Sequence, residues 1–548
     1  MTEKNYGYNA VIRADGRVFC FSDRCENDLF SATLERSEGR VRLLVTPLSI
    51  IAFEGIAIDV KRTVSDKERI FLNGYQSWTD SCEVTAHDRL RGIDRIPKAL
   101  VRKYNFDKYG DYNFVDYSDD TGRLHGFTYA YIRNGSEFTL FGSVSEKNGF
   151  TMISVLKDSV RLSLECEGAE FAETFAAIDA VVLDGTEDEV FDRWFELMQL
   201  APAAAKPISG YTSWYRHYEN ISESSLLHDL DALTSSDSEC DIFQIDDGYQ
   251  TAVGDWLSID KDKFPSGIKH LCDAVHEKGL KAGLWLAPFV CEKNSYVFEE
   301  HPDWILKDKN GLPLAAGCNW SGSYALDIYN EDVREYLKKV FRTVLDEWGF
   351  DLVKLDFLYA CCIRPQNGKS RGQIMCEGMD LLRELCGDKL ILGCGVPLGA
   401  AFGKVDYCRI GCDVGLSWND NPIMRLTHRE RVSTRNSILN TVFRRQLDGR
   451  AFLNDPDVYL LRDDGLSLLH CQKQCLAIIN HLCGSVCFTS DDVSEYSERQ
   501  KKLLRTAVKM RRAKLIEADM TGDTVTMKLL LGSKEKVVRL DAANGKLF

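Results

Sequence analysis

The chain has 548 residues, of which 44% are hydrophobic and 28% charged, with 68 basic against 83 acidic side chains for a net charge of -15. That length exceeds the roughly 250 to 300 residues at which one core stops growing, so several domains are expected, and the ordinary composition excludes a disordered, collagenous or coiled-coil chain. The acidic balance, without any long Lys/Arg run, excludes the cationic footprint of a nucleic-acid binder.

The opening stretch MTEKNYGYNAVIRADGR carries no apolar leader-like run, and no stretch of about 18 apolar residues follows, so neither secretion nor a membrane partner is expected. The 19 cysteines are scattered, several in apolar segments (Cys272, Cys386, Cys475), with no CxxC pair. This suits reduced thiols in a cytoplasmic protein. The spacings Cys408/Cys412, Cys471/Cys475 and Cys483/Cys487 lack the companion ligands of a zinc site, and no metal or cofactor is expected.

Over residues 1–185 the pattern is short β-type runs (RVFCF, RVRLLV, TLFGSV, RLSLE) broken by turn signals such as Asp15-Gly16 and Asn134-Gly135, which predicts an antiparallel β-sandwich. The run EDEVFDRWFELMQL and the Ala/Pro stretch Ala201 to Pro207 predict a helical linker over 186–207.

From 208 to 511 short apolar strands alternate with helix-period segments, as in a parallel barrel covered by helices. Eight strands are expected: GYTSW (210–214), IFQIDD (242–247), KAGLWLAPF (281–289), LVKLDF (352–357), LILGCG (390–395), YCRIG (407–411), AFLNDPD (451–457) and VCFTSDD (486–492). Between them lie helices such as EDVREYLKKVFRTVLDEW, entered from Asn330 as N-cap, and VSTRNSILNTVFRRQL. Eight β/α units over this span have the size of a (β/α)8 TIM barrel. The alternating runs TVTMKLLLG and KVVRLD predict a small C-terminal antiparallel β domain over 512–548.

Acids and aromatics cluster where the predicted strands end (Trp214, Asp246, Asp247, Asp356, Asp413, Asp455, Asp457, Asp491), and barrel active sites are built at that face. In LVKLDF the period of two puts Lys354 and Asp356 on one face, where the cation is expected to lower the pKa of the acid. Asp413 follows another strand, in a turn-rich segment with Arg409, Gly411 and Gly415. Two carboxylates in different environments suit glycosidic bond cleavage, one attacking the anomeric carbon and one protonating the leaving oxygen. The same spacing also fits acids that merely cap strand ends or helices. Asp246 and Asp247, followed by Gly248 and Tyr249, need donors such as sugar hydroxyls, or else form a solvated turn. Trp78, Trp214, Trp285 and Trp320 sit in polar or turn contexts where a ring can face a sugar, although core packing is the commoner fate of a tryptophan.

The segments NGYQSW (73–78), TSWYRHYEN, FQIDDGYQ with GDW behind it, GLWLAPF, HPDW, ALDI, KLDF, ILGCGVPLGAAFGKVD, RIGCDVG and LNDPD together resemble the α-galactosidases of glycoside hydrolase family 36, in the family's order over about residues 70 to 490. The resemblance implies a retaining, exo-acting α-galactosidase with a sandwich, a barrel and a C-terminal β domain. It implies Asp356 as nucleophile and Asp413 as acid/base. Asp246 and Asp247 would meet the sugar's 4- and 6-hydroxyls, with Lys354, Arg409 and Cys394 near the 2- to 4-hydroxyls. Trp285 would pack along the sugar, Trp214 would wall the pocket, and Trp78 would narrow the entrance from the sandwich. Cys412 departs from the family's frequent Pro at that position and predicts a looser loop before Asp413.

Two weaker motifs are set aside. Gly393-Cys394-Gly395 with Gly399 has the spacing GxGxxxG and Pro397 at the helix start, and Gly368-Lys369-Ser370 is half of a P-loop. The expected partners are α-galactoside oligosaccharides such as melibiose and raffinose, and a homo-oligomer stays open. Rival readings are a galactosyl-transferring enzyme like raffinose synthase, an α-N-acetylgalactosaminidase, and a sugar-binding protein with a dead site, which the intact acid pair argues against.

Overall fold

The computed structural model describes residues 6–236, 239–420 and 428–548. Between Tyr8 and Gly185 the chain forms two antiparallel sheets, of six and eight strands. Strand Arg40–Pro47 shows why they stack: every second side chain is buried, so Val41, Leu43 and Val45 face inward. They share one apolar core with Ala10, Ile12, Ile58 and Val60 of the other sheet, each aliphatic side chain contributing about 1.5 to 3 kcal/mol. At the expected Asp15-Gly16 turn both residues take positive φ, 52° and 66°, as a two-residue hairpin between Tyr8–Ala14 and Arg17–Phe21 requires. One part of this region was not foreseen. Residues 85–123 leave the sheets and carry a helix, Lys98–Tyr104, that buries none of its side chains. Seven residues are too few for a periodic signal.

The expected linker helix is Glu187–Leu197, opened by a capping box between Thr186 and Glu189. It buries Val190, Phe191, Trp194 and Phe195. Trp194 lies flat over Gly142, where a side chain would come within 2.6 Å of the ring, and donates to the Ser143 carbonyl at 2.8 Å. Its ring also meets Phe402 at 5.8 Å, so one aromatic residue joins sandwich to barrel.

All eight predicted barrel strands are present and parallel. In chain order they are Ile208–Thr212, Ile242–Ile245, Lys281–Leu286, Leu352–Leu355, Leu390–Gly393, Tyr407–Arg409, Leu453–Asp455 with Val458–Tyr459, and Val486–Thr489. Pairing runs in that order, and the eighth returns to the first (Ile208 opposite Val486), which closes the ring. The seventh strand, expected over AFLNDPD (451–457), is broken in two, with its second piece beyond the expected run. Leu453–Asp455 pairs with the sixth strand and Val458–Tyr459 with the eighth, because Pro456 has no N–H to give the ladder. The other strands stop two or three residues before their apolar runs do, which turns the acids that follow into loops at the C-terminal face. Asn330 caps the helix Glu331–Arg342 as predicted, accepting from the Asp332 N–H at 2.9 Å.

After the helix Glu498–Lys509, four antiparallel strands (Ala513–Thr521, Thr524–Leu531, Lys534–Asp541, Lys546–Leu547) form a terminal sheet. It touches both other units. Arg133 of the sandwich donates to the Ala518 carbonyl at 2.8 Å, and Trp418 of a barrel loop donates to the Ala542 carbonyl at 2.9 Å. All 19 cysteines are free, and among the described residues no helix is long and apolar enough to cross a membrane.

One side chain fastens the sandwich to the barrel mouth. Arg444, fully buried at the end of helix Thr434–Phe443, donates to Asn73 Oδ1 (2.9 Å), the Ser77 carbonyl (2.6 Å), the Gln76 carbonyl (3.3 Å) and Ser81 Oγ (2.9 Å), all on one sandwich loop. It also donates to the Ile410 carbonyl beside the sixth strand, at 2.8 Å. None of these acceptors is a carboxylate, so burial pulls the guanidinium down to about 10, which still leaves it charged at neutral pH. Arg444→Met should leave these buried acceptors unpaired and cost on the order of 3 to 5 kcal/mol, read as a lowered thermal midpoint. A midpoint equal to the parent's would show that the loop is held by other contacts.

Candidate active site

The C-terminal ends of the strands surround a cavity of about 450 Å³. Of the residues singled out in the sequence, Trp78, Trp214, Asp246, Asp247, Trp285, Lys354, Asp356 and Asp413 line it. Arg409 and Cys394 are not among the lining residues. They stand one layer behind, Arg409 against Asp413 and Cys394 against Trp78.

Asp356 follows the fourth strand. Its carboxylate accepts from Trp285 Nε1 at 3.1 Å and from the N–H of Phe357 at 2.8 Å. Phe357 adopts left-handed backbone (φ 54°), an uncommon conformation for a non-glycine residue, and this turns the chain so that the acid faces the cavity. Lys354 is on the same face, as the period of two predicts, but its ammonium bonds Asp246 Oδ2 at 2.9 Å. Burial opposes the Lys354 charge, yet Asp246 and Asp356 together hold its pKa well above the usual lysine range. The expected lowering of Asp356 does not survive in sum. Burial raises its pKa first, Asp413 raises it further, and Lys354 offsets only part of this.

Asp246 and Asp247 are buried, and each is supplied with donors. Asp246 Oδ2 accepts from Gln244 Nε2 at 2.9 Å and Thr212 Oγ1 at 3.2 Å besides Lys354. Asp247 accepts from Gln250 Nε2 at 2.6 Å and Trp320 Nε1 at 2.8 Å, but burial outweighs these donors and pushes it up to about 7. The solvated-turn reading of this pair is therefore wrong. Trp320 belongs to the wall through that bond, and Trp320 and Trp78 both pack on Phe357, at 5.0 and 5.2 Å between centroids.

Asp413 is held from two sides. Arg409 Nη2 bonds its Oδ1 at 2.5 Å, and the same nitrogen meets Asp457 Oδ2 at 2.8 Å. The loop that carries it is not loosened by Cys412. The Cys412 thiol donates to the Ser433 carbonyl at 3.5 Å, the Ser433 N–H donates to the Asp413 carbonyl at 3.0 Å, and Gly415 N–H donates to Thr434 Oγ1 at 3.0 Å. A buried thiol thus ties the loop where a proline would have stiffened it.

The GxG at 393–395 serves the ring of Trp78. Gly395 has φ 59°, and a Cβ there would come within 2.9 Å of the indole, so only glycine admits the approach. Trp78 Nε1 donates to Cys394 Sγ at 3.3 Å, and Ser77 N–H donates to the Val396 carbonyl at 2.9 Å. The half P-loop is a helix start: Ser370 caps Arg371–Cys386 in a capping box with Gln373. Sequence reasoning missed Tyr109, Cys318 and Asn319, where Tyr109 donates to Asn319 Oδ1 at 2.7 Å, and Glu430, which accepts from Tyr112 at 2.8 Å. They come from the unforeseen sandwich segment and from long barrel loops, with no local pattern to mark them. Acids beside hydrogen-bond donors, in a cavity walled by four indoles, can bind a polyol and cleave an acetal by acid and nucleophile together.

Residues 203–362 match the family model described as Melibiase. The chain is 30% identical over 151 residues to α-galactosidase Mel36A of Lactobacillus acidophilus, covering 26% of this chain and 20% of that protein. It is 25% identical over 288 residues to the A type blood α-D-galactosamine galactosaminidase of Flavonifractor plautii, covering 48% of this chain and 26% of the other. These alignments span about a fifth to a quarter of the curated relatives' length. The structure of the Thermus thermophilus α-galactosidase TtGalA in complex with p-nitrophenyl α-D-galactopyranoside superposes with a TM-score of 0.73 at 26% identity, covering 96% of this chain and 98% of that one. A second structure of it, in complex with stachyose, gives 0.72 at 28% identity over 91% of this chain and 99% of that one. The chain thus resembles the α-galactosidases of glycoside hydrolase family 36 both in sequence, through the Melibiase match, and in fold, over nearly its whole length.

Proposed function

We propose that the chain is a retaining, exo-acting α-galactosidase that hydrolyses terminal α-galactosyl residues of oligosaccharides such as melibiose and raffinose. The observation that carries this reading is the single cavity into which Asp356 and Asp413 both open, one buried among indoles, the other about a third exposed beside Arg409. Asp356 attacks the anomeric carbon while Asp413 gives its proton to the glycosidic oxygen, so the C–O bond breaks and a glycosyl ester forms on Asp356. Asp413, now the anion, takes a proton from water, whose oxygen opens the ester and restores both acids. Trp285 holds the nucleophile's orientation through its Nε1–H. Asp246 and Asp247 accept from sugar hydroxyls, Lys354 donates to one, and Trp78 and Trp214 wall the pocket. The stachyose complex of the Thermus relative supports an oligosaccharide substrate.

Assaying purified protein on nitrophenyl α-galactoside, α-N-acetylgalactosaminide and α-glucoside tests the reading as a whole, and turnover of the galactoside is expected to dominate. Dominant turnover of the N-acetylgalactosaminide would replace it with the galactosaminidase reading.

Asp356→Ala should abolish turnover, and azide should restore part of it as the β-galactosyl azide, because a small anion can fill the space of the lost carboxylate and attack from the same face. Recovery of the α-azide would contradict the nucleophile assignment. For Asp413→Ala the loss should be about 10²- to 10⁴-fold on melibiose and much smaller on p-nitrophenyl galactoside, whose leaving group departs without a proton. Equal losses on both substrates would remove Asp413 as the acid.

The burial of Asp247 fixes the sign of an expected pH dependence. Burial raises it to about 7, so the charged acceptor is present above that pH and is lost below it, and KM for galactosides should rise as pH falls from 8 to 6. Asp247→Asn should flatten that dependence and lower kcat/KM by about ten- to a hundredfold, the worth of a charge-assisted hydrogen bond. A retained slope in the variant would assign the titration to another group.

A further inference from the structure

Asp457 stands at the barrel mouth under backbone strain. It sits in the break of the seventh strand, between Leu453–Asp455 and Val458–Tyr459, and takes left-handed backbone at φ 76° without being glycine. The carbonyls freed by the break are each served by a side chain from a covering helix. Ser437 Oγ donates to the Pro456 carbonyl at 3.3 Å, and Asn480 Nδ2 donates to the carbonyls of Asp457 and Val458 at 3.4 and 3.1 Å. The result of this construction is one buried carboxylate oxygen, Asp457 Oδ2, on which donors from three segments converge: Arg409 Nη2 at 2.8 Å, the Val414 N–H at 2.8 Å, and the hydroxyl of Tyr215. Burial, with Asp413 and Asp455 nearby, raises Asp457 to about 7, and Arg409 and the Tyr215 hydroxyl offset part of that by favouring the charged form.

The same Arg409 nitrogen bonds Asp413 Oδ1, and Val414 is the next residue after Asp413. Asp457 therefore grips the proposed general acid twice, through its cation and through its loop. We propose that Asp457 is the positioning residue of the general acid: it shares Arg409 Nη2 with Asp413, so that the guanidinium does not act on the acid alone, and it fixes the Asp413 loop through the Val414 N–H. The inference rests on Asp413 being the acid. Without the Asp457 anion the whole guanidinium charge would fall on Asp413, stabilise its carboxylate and strip the proton needed for departure of the aglycone. With it, the guanidinium is divided between two carboxylates, Asp457 at 2.8 Å and Asp413 at 2.5 Å.

The ionisable groups around this pair all belong to the same mouth. Asp457 faces Arg409 and Asp413 of the sixth strand and its loop, Asp455 of its own strand, and Tyr215 after the first strand. Asp413 also faces Asp356 after the fourth strand, Cys394 after the fifth, Cys412 beside it and Tyr218 after the first. None of the other groups shares both a cation and a loop contact with Asp413.

The test is the pH profile of kcat/KM for the Asp457→Asn protein on two substrates, melibiose and p-nitrophenyl α-galactoside, with thermal midpoints measured in parallel. The expected result is an alkaline limb moved to lower pH on melibiose, so that the loss is about tenfold or more at pH 7 and shrinks towards pH 5. On the nitrophenyl substrate, which needs no proton, the loss should be several times smaller. Tyr215→Phe removes one donor from the same oxygen without changing shape, and should move the limb the same way by less; it keeps the idea testable if the first variant fails to fold. An alkaline limb that stays at the parent's pH in the folded variants, or losses equal on both substrates, would overturn the proposal and leave Asp457 a structural residue. Failure of the underlying reading looks different, since Asp413→Ala would then show no dependence on the leaving group whatever Asp457 does.

Discussion

Too much negative charge in too little space is the constraint around which the barrel mouth is built. Asp246, Asp247, Asp356, Asp455 and Asp457 are buried there with Asp413 at the rim, and Lys354 and Arg409 are cations that bond to them. Each cation is shared, Lys354 between Asp246 and Asp356, Arg409 between Asp413 and Asp457. The remaining charge is met by neutral donors: the indole N–H groups of Trp285 and Trp320, the amides of Gln244 and Gln250, the Tyr215 hydroxyl and the N–H groups of Phe357 and Val414. An unpaired buried carboxylate is so unfavourable that each of these donors must be held in place. The loops that carry them are correspondingly tied down.

That requirement explains why the sandwich is welded to the barrel. Its loop over 73–81 brings Trp78 to the cavity, and it is held by four donor contacts of Arg444, by Asn440, and by the fit of the indole against Gly395. The linker helix reaches the same end by apolar means, with Trp194 between Gly142 and Phe402. The terminal sheet completes the frame, resting on Arg133 on one side and on Trp418 on the other. Polar struts at the mouth and aromatic packing farther out divide the work according to how much water each place excludes.

Legibility in the sequence followed the range of the physics involved. The eight strands could be read because a buried parallel strand needs a continuous apolar run, and the acids at their ends stood out against those runs. The alternation of side chains put Lys354 and Asp356 on one face correctly. The sign of the acid's shift could not be read, because burial and Asp413 act on Asp356 across the barrel and together exceed what Lys354 supplies. Cys412 misled for a related reason: the contact that replaces a proline's stiffness lies 21 residues on, at Ser433. Arg409 and Cys394 were expected at the sugar and stand instead behind Asp413 and Trp78, a matter of rotamers and neighbours that spacing does not encode.

The sequence by itself determined the barrel, the two flanking β units and the gathering of acids at the strand ends, since periodicity, strand-end polarity and turn chemistry are local properties of the chain. Only the tertiary structure decided which acid each cation serves, which indole bonds which carboxylate, and that Asp457 belongs beside Asp413. The reason is that those pairings join residues tens to hundreds of positions apart, and the strength of each depends on a buried environment that comes into being only when the ring of strands closes.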